Sequence, residues 1–479
     1  MQPISRRRAL QIGGLGLVSA AFGATGLTWQ RTSPFAPADG RALSEPQVLR
    51  SAGGSLKTEL TAARGRVRIA GADATALSYN GGLPGPTLYL QPGDRLQVRL
   101  TNALDEPTNL HVHGLHVSPE GNGDNVFIAV NSGESFDYDY QLPDDHPPGT
   151  YWYHPHHHGM VADQVFGGLY GAIVVEEPEP LPVNRARVLV VSDISLDGSG
   201  RVTSPSGMSV MAGREGDLVM VNGQSRPVLS ARPGERERWR IVNACSSRYL
   251  RLSLGGQQLR LLGMDSGRFP APRDVDEVLL APGNRADLLV DAAAGSSTLR
   301  ALPYDREGMG AMSGGRSATG GDGIVLATFD VAGGRVPALA PLPAQPESRD
   351  LRGLEVAARR RLIFAMGMSG GGMQFTIDGK AFDPDRVDQT VQVGTVEEWT
   401  LTNASSMDHP IHLHVWPMQI VAQGSEALTD VVWQDVVNIV PGGEVTVRIA
   451  FDRFPGRTVY HCHVLDHGDL GMMGVVTAR

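Results

Sequence analysis

The chain has 479 residues and a formal net charge of −9, from 42 basic and 51 acidic residues. This length is enough for about three domains of ordinary size. Residues 1–38 contain four arginines and no acidic residue, so their removal would take the net charge to −13. A strongly acidic protein is a poor candidate for binding nucleic acid or an anionic membrane surface.

Residues 1–38 are expected to form an export signal. The sequence Ser5-Arg6-Arg7-Arg8 precedes an apolar run rich in Gly and Ala, from Ile12 to about Leu27, as in a signal peptide. The paired arginines predict the twin-arginine export machinery as a partner and a periplasmic or exported protein. Cleavage after Ala24 or after Ala38 is possible. An uncleaved anchor is the alternative, but the run is short and rich in Gly. After cleavage, no remaining apolar stretch is long enough to span a bilayer.

An internal repeat predicts three domains of one architecture. Each copy has a Gly turn, an alternating strand and then Asn-Ala, at residues 92–103, 233–244 and 393–404. The asparagines of successive copies lie 141 and 160 positions apart, which is a domain-sized period. Short alternating strands separated by turns are typical of β-sandwiches. The fold class expected from the repeat is therefore all-β.

Two Pro-rich segments, at residues 177–182 and 337–348, are expected to link the three domains. The predicted domains span residues 41–178, 184–335 and 350–479. Tight turns precede the three repeat copies, at Asn80-Gly81, Asn222-Gly223 and Asp378-Gly379.

The 14 histidines are concentrated in four short clusters, and none lies between residues 159 and 408. The clusters are His111-Val112-His113, His154-Pro155-His156-His157-His158, His409-Pro410-Ile411-His412-Leu413-His414, and His461-Cys462-His463 with His467 and Met472. One His-x-His pattern alone is commonly coincidental, but four clusters with an embedded Cys are not. Alternate side chains of a strand point to opposite faces. Cys462 is therefore expected to face one metal site, and its two neighbours another. Thiolate, imidazole and a weak thioether are the donor set of a blue copper site.

In their order and spacing, these clusters resemble the copper-binding motifs of the multicopper oxidases, the family of laccases and cuprous oxidases. The resemblance covers the chain from about Leu56 to Arg479. It implies three cupredoxin-like Greek-key β-sandwiches and four copper ions. It also implies electron transfer from a reductant to dioxygen, which is reduced to water. The middle domain has no histidine and is expected to carry no copper.

The same resemblance implies a division of the ligands among type 1, type 2 and two type 3 coppers. Type 1 would take His409, Cys462, His467 and axial Met472, and type 2 would take His111 and His412. One type 3 copper would take His113, His154 and His463, and the other His156, His414 and His461. Electrons would pass through Cys462 to His461 and His463. The remaining histidines, expected to hydrogen-bond nearby or to lie on the surface, are His116, His146, His157 and His158.

Asp124, in the loop Gly121-Asn122-Gly123-Asp124-Asn125, resembles the family's proton-relay carboxylate. Its alternative role is that of a turn residue in a Gly/Asn-rich loop. Many bacterial relatives have an acid directly after the last type 1 histidine. Here that position is Gly468, followed by Asp469, which puts a second proton route in doubt. With Cys462 committed to copper, Cys245 has no disulfide partner.

The substrate is the open point, with three alternatives. A laccase-like enzyme would oxidise phenols or aromatic amines, with His467 or His409 open to the substrate. A cuprous oxidase would bind Cu(I) through Met407 with Met309 or Met312, because thioethers are soft ligands; these methionines could equally fill gaps in a core. A copper store or cell-division scaffold without activity is the third alternative, and the complete ligand set argues against it.

Overall fold

The structure is a computed structural model that describes residues 39–306, 321–369 and 372–479. The predicted export signal at 1–38 and the methionines Met309 and Met312 lie outside these ranges. Within them, the chain forms 31 strands and three short helices, α1 (Val161–Gly167), α2 (Gly207–Ala212) and α3 (Leu465–Asp469). No helix in these ranges has the length and apolar character needed to cross a bilayer. The strands form six sheets, which pack as three β-sandwiches.

The first sandwich packs a four-stranded sheet on a five-stranded sheet. Its strands are β1 (Val48–Arg50), β2 (Ser55–Ile69), β3 (Ala72–Tyr79), β4 (Thr87–Leu90), β5 (Arg95–Ala103), β6 (His111–His113), β7 (Ser135–Gln141), β8 (Gly149–His154) and β9 (Gly171–Val175). The sheet orders are β3-β2-β5-β7 and β1-β4-β9-β8-β6, so β6 is an edge strand. Strand β5 alternates exposed and buried residues, and its buried face lies in the core between the two sheets.

The second sandwich packs a six-stranded sheet on a five-stranded sheet. Its strands are β10 (Arg185–Ile194), β11 (Leu218–Val221), β12 (Val228–Ala231), β13 (Arg236–Asn243), β14 (Leu250–Leu254), β15 (Leu259–Met264), β16 (Gly267–Val275), β17 (Val278–Leu280), β18 (Arg285–Asp291), β19 (Gly295–Leu302) and β20 (Ile324–Val331). The sheet orders are β11-β10-β13-β18-β15-β16 and β12-β20-β19-β14-β17. The core between these sheets is built from aliphatic side chains around Trp239 and Phe329.

The third sandwich repeats the plan of the second. Its strands are β21 (Ala358–Ser369), β22 (Gly372–Ile377), β23 (Gln389–Val391), β24 (Val396–Asn403), β25 (His409–Leu413), β26 (Met418–Gln423), β27 (Glu426–Gln434), β28 (Val436–Ile439), β29 (Glu444–Ala450), β30 (Gly456–Cys462) and β31 (Met473–Ala478). The sheet orders are β22-β21-β24-β29-β26-β27 and β23-β31-β30-β25-β28. Strand β25 therefore lies between β28 and β30, next to the other histidine-bearing strand of its sheet, β30.

The repeated asparagine has the same structural task in all three sandwiches. Asn102, Asn243 and Asn403 lie within the last two residues of the equivalent strands β5, β13 and β24, and all three are buried. Each side-chain amide donates two hydrogen bonds to backbone carbonyls, and each side-chain oxygen accepts one from a backbone N–H two residues later. Because a buried backbone group needs a partner, this side chain holds the loop that leaves each strand.

The predicted turns before the repeats also share one geometry. Asn80, Asn222 and Asp378 have φ values of 54°, 51° and 52°, in the left-handed region that Asn and Asp tolerate. Each side chain accepts a hydrogen bond from a strand N–H, at distances of 2.7, 2.8 and 2.8 Å. The sequence repeat thus corresponds to the same turn and the same strand-end hydrogen bonds in each sandwich, so its period is one domain.

Candidate metal centre

The first and third sandwiches bring eight histidines together at their interface. In the first sandwich, His111 on β6 lies opposite His154 at the end of β8. In the third, His412 on β25 lies opposite His461 on β30, and Cys462 lies opposite Ile411. The members of this histidine cluster are His111, His113, His154, His156, His412, His414, His461 and His463.

The histidine cluster is buried and neutral. None of its side chains is more than 3% exposed. Contacting rings have centroids between 3.8 Å apart (His113 and His412) and 6.1 Å apart (His154 and His156). Burial lowers the pKa of every member, to about 3 for His154 and about 4 for His461. Neutral imidazole is the form that binds a metal ion.

The ring nitrogens of this cluster fit metal ions. Six of its imidazoles, those at 111, 113, 154, 412, 414 and 463, have a buried ring nitrogen without a hydrogen-bond partner among the described residues. In addition, the Nε2 atom of His461 lies 3.0 Å from Nε2 of His156 and 3.2 Å from Nε2 of His414. Unpaired polar atoms in a buried site are costly, so lone pairs facing one pocket indicate bound cations.

Hydrogen bonds on the far side of several rings set which nitrogen faces the pocket. The backbone carbonyl of Asp435 accepts from Nδ1 of His412 at 2.7 Å, and that of Pro155 accepts from Nδ1 of His154 at 2.8 Å. Asp124 lies 2.9 Å from Nδ1 of His111. In these three rings the partnerless nitrogen is Nε2. Such contacts orient metal ligands and select their tautomers.

Within this cluster, several sets of three donors lie within 4.8 Å of one another. One of them, His156 with His414 and His461, is the same trio that the family resemblance implied for a type 3 copper. The nitrogens also group in other ways because all eight rings share one pocket. These further groups are His111 with His113 and His154, His111 with His412 and His414, and His113 with His412 and Asp435.

Cys462 belongs to a second, separate group, which we call the thiolate group. Its Sγ lies 3.4 Å from Nδ1 of His409 and 3.8 Å from Nδ1 of His467. Met472 is fully buried in the same core as Cys462. Burial raises the pKa of the Cys462 thiol to about 12, and a coordinating metal would deprotonate it. Cys462 thus points to one group while its neighbours His461 and His463 belong to the other.

Both imidazoles of the thiolate group are closed off from solvent, which differs from the open edge expected of a laccase-like site. His409 and His467 are fully buried. Nε2 of His467 lies 3.2 Å from the carbonyl oxygen of Met211, in helix α2 of the second sandwich. Nε2 of His409 lies 2.7 Å from the Ser405 hydroxyl. The Met211 carbonyl lies 256 positions from His467 along the chain, so this contact could not be predicted from the sequence.

Other residues near the two groups were not found from the sequence. Phe375 stacks on His467 with ring centroids 4.4 Å apart. Asp435 contacts two cluster histidines, and Arg285 binds Asp435. Phe375 and Arg285 lie on separate strands, Asp435 lies in the bend between β27 and β28, and no local pattern marks them. Only their tertiary contacts show their proximity to the centre.

The candidate proton-relay residue Asp124 lies directly beside the histidine cluster. Its Oδ1 is 2.9 Å from Nδ1 of His111 and accepts from the Val112 N–H. Burial raises its pKa to about 8. Asp469 instead accepts from the backbone N–H groups of Gly159 and Ala162 at the start of α1, and burial raises its pKa to about 7.

The remaining predicted residues lie outside both groups. The backbone N–H of His116 donates to Nε2 of His146. His157 is half-buried, and His158 is exposed and packs on Phe382. Met407 is buried, 3% exposed.

Three family models match the chain, all described as multicopper oxidase, at residues 61–180, 188–302 and 357–479. The chain belongs to the multicopper oxidase family. Copper binding follows from this membership and from the fit of the histidine clusters, and an oxidoreductase is the expected class of enzyme.

Similar proteins of this family have different described roles. A multicopper oxidase from Campylobacter jejuni, described as a metallo-oxidase, has a TM-score of 0.80 and 29% identity, covering 92% of this chain and 95% of that one. A laccase-like multicopper oxidase from Ochrobactrum sp., described as active on lignin model compounds, has a TM-score of 0.78 and 27% identity, covering 91% and 100%. The cell division protein FtsP of Dickeya dadantii is 28% identical over 99% of each chain.

Gly283 tests the packing around His463. Its φ is +89°, and an added Cβ would lie 2.9 Å from Nε2 of His463. We expect Gly283→Ala to bind copper at the histidine cluster at least about tenfold more weakly, because the ring must move. Copper content and chelator competition measure the effect. Gly394→Ala is the matched control, since its φ is +88° and the new Cβ meets nothing within 4 Å. Equal copper loss in both variants would contradict the contact argument.

Proposed function

We propose that this multicopper oxidase is laccase-like, taking single electrons from phenols or aromatic amines and reducing dioxygen to water. The observation that carries the proposal is the position of Cys462 in the thiolate group, between two residues of the histidine cluster. Per dioxygen, four substrate molecules each lose one electron and one proton, and two water molecules form. The export signal predicted at residues 1–38 would place this reaction outside the cytoplasm.

The proposed copper sites follow the family pattern. Bound copper would supply the one-electron chemistry at the thiolate group and the affinity for dioxygen at the histidine cluster. The proposed type 1 ligands are His409, Cys462, His467 and Met472. The proposed type 2 ligands are His111 and His412, whose ring centroids are 5.6 Å apart. The proposed type 3 ligands are His113, His154 and His463 for one copper, and His156, His414 and His461 for the other.

Electrons would reach the thiolate group through helix α2. Because His467 is buried, a phenol bound outside α2 would transfer its electron across the contact between the Met211 carbonyl and the His467 ring, 3.2 Å long. From Cys462, the covalent path to His461 and to His463 is one residue in each direction. His409 is held in place by Ser405 on its outer side.

Asp124 would deliver protons to the histidine cluster. Its carboxyl group contacts Nδ1 of His111 and lies 3.8 Å from Nδ1 of His414, so it reaches the cluster from the first sandwich. The Val112 N–H holds Oδ1, which fixes the carboxyl plane and leaves Oδ2 able to hold a proton.

Replacing Cys462 tests the core of the proposal. The copper-loaded wild type should consume dioxygen with dimethoxyphenol in the absence of added copper. Cys462→Ser should lose its blue absorbance, and its phenol oxidation rate should fall at least about 1,000-fold. It should keep copper at the histidine cluster. Cys245→Ser, at the other buried cysteine, should keep both properties. Retained blue absorbance in Cys462→Ser would exclude the assignment. Absence of dioxygen uptake by the loaded wild type would point instead to a non-catalytic role.

Asp124→Asn tests proton delivery with a side chain of the same shape. We expect about 100-fold slower dioxygen reduction, the usual contribution of a positioned proton donor. Anaerobic bleaching of the blue absorbance by phenol should keep its wild-type rate, because this step does not use Asp124. Asp137→Asn is the control, since its carboxylate is 69% exposed. A wild-type turnover rate in Asp124→Asn would remove this residue from the mechanism.

Oxidation of Cu(I) is the second candidate, favoured by the residues of α2. Met208 and Met211 lie one helical turn apart on this helix, and Met208 is 53% exposed. Met211 contacts His467 through its carbonyl. If both thioethers bound one Cu(I) ion, the ion would lie on the helix whose Met211 carbonyl contacts His467. Met407, proposed from the sequence for this role, is buried, and Met309 and Met312 lie outside the described residues.

The double variant Met208→Leu/Met211→Leu separates the two candidates. If Cu(I) is the substrate, dioxygen uptake with Cu(I) should fall at least about tenfold. Phenol oxidation should fall much less, because leucine keeps the apolar surface of α2 and the backbone carbonyl that contacts His467. Met264→Leu, at a partly buried residue that packs against the core of the second sandwich, serves as the control for the substitution itself. An unchanged Cu(I) rate would eliminate α2 as the Cu(I) site, and strict dependence of phenol oxidation on excess copper would favour Cu(I) as substrate.

A further inference from the structure

Arg285, at the start of β18, connects the second sandwich to the histidine cluster through Asp435. Its side chain is fully buried. A buried guanidinium requires partners for its donors, and Arg285 finds them in all three sandwiches. Its Nε donates to the Thr150 carbonyl of the first at 2.9 Å, Nη1 to the Gly283 carbonyl of the second at 3.2 Å, and both Nη atoms to the Asp435 carboxylate of the third at 2.6 Å each.

Asp435 extends this contact to two cluster histidines. Its Oδ1 lies 3.0 Å from Nε2 of His113, and its backbone carbonyl accepts from Nδ1 of His412 at 2.7 Å. The free nitrogens of these rings are Nδ1 of His113 and Nε2 of His412. Asp435 therefore decides which nitrogen of each ring is offered to a metal ion. Because Arg285 binds both of its oxygens, Asp435 is itself poorly placed to be a ligand.

A second carboxylate, Asp265, holds Arg285 and Asp435 together. Its Oδ1 accepts from the Arg285 backbone N–H at 2.9 Å. Its Oδ2 accepts from the backbone N–H groups of Asp435 and Val436, at 3.1 and 3.2 Å. Asp265 is fully buried at its side chain. It thereby fixes the backbone on both sides of the ion pair, so the pair cannot shift without breaking buried hydrogen bonds.

Gly114 shows how closely the ion pair fits the first sandwich. This residue follows His113 and has a φ of +84°. An added Cβ would lie 2.5 Å from Nη2 of Arg285 and 2.7 Å from Oδ2 of Asp435. The chain after His113 is therefore in direct contact with the pair, and the position of the pair sets the path of the strand that carries His111 and His113.

We propose that Arg285 is a positioning residue for the copper-binding histidine cluster, acting through Asp435 on His113 and His412. The second sandwich then determines the geometry of a metal centre to which it gives no ligand. This inference rests on the proposed copper sites. A bidentate guanidinium is needed for the task because it holds both carboxylate oxygens in one plane while donating to Thr150.

Arg285→Lys in the full, copper-loaded chain tests the proposal. Lysine keeps the charge but cannot bind both oxygens of Asp435 and the Thr150 carbonyl in the same geometry. We expect about 10- to 100-fold weaker copper binding at the histidine cluster, measured by chelator competition. The electron paramagnetic resonance spectrum of the type 2 copper should change, and the blue absorbance of the thiolate group should stay. Asp435→Asn, which keeps the side-chain size, should behave in the same way.

The matched control is Arg238→Lys. Arg238 is also a buried arginine of the second sandwich, 3% exposed at its side chain, and binds the carboxylates of Asp287 and Glu177 rather than a histidine neighbour. It should keep the wild-type copper affinity and spectrum. Wild-type affinity and spectrum in Arg285→Lys would overturn the proposal, and so would an equal copper loss in Arg238→Lys. A wild type that binds no copper at the cluster would overturn the proposed function as well.

Discussion

The structure depends on the burial of eight neutral imidazoles between two sandwiches. Each ring loses its contact with water, and six of them keep a nitrogen for which the described residues provide no partner. An apolar interface of the same area would not carry this cost. Bound copper would satisfy these nitrogens and at the same time tie the first sandwich to the third. Copper binding and interdomain packing are thus one equilibrium, and loss of either weakens the other.

The second sandwich has no histidine but contacts the interface through two arginines. Arg285 binds Asp435 beside the histidine cluster. Arg214 binds Asp466, directly before His467, and also Asp163 of the first sandwich. The Arg285–Asp435 and Arg214–Asp466 pairs are both buried, so water screens them little. Breaking one such buried pair typically costs about 3–5 kcal/mol because an uncompensated charge remains. A domain without metal can in this way fix the distance between two domains that share one.

The sequence predicted the parts that depend on short-range chemistry. The Asn-Ala repeats and the Asn-Gly turns are local hydrogen-bond devices, so their period predicted three sandwiches, and the histidine clusters predicted the donors. Asp435, Arg285 and Phe375 could not be predicted, because each acts through a contact across more than 90 positions. The cover over His467 was missed for the same reason. Helix α2 contains no histidine, and only tertiary packing brings the Met211 carbonyl to the imidazole.

The position of helix α2 over His467 bears on which reductant the protein can use. If His467 is a type 1 ligand, its contact with the Met211 carbonyl is the same for every reductant, and discrimination would come from the outer face of α2. A bulky phenol and a Cu(I) ion would then compete for one short helix, and not for the imidazole itself. In the proposed function, the electron would leave this contact through Cys462, whose neighbours in the chain, His461 and His463, belong to the histidine cluster. Selection of the reductant and reduction of dioxygen would then be separated by one buried cysteine, so the outer face of α2 could change without a change at the histidine cluster.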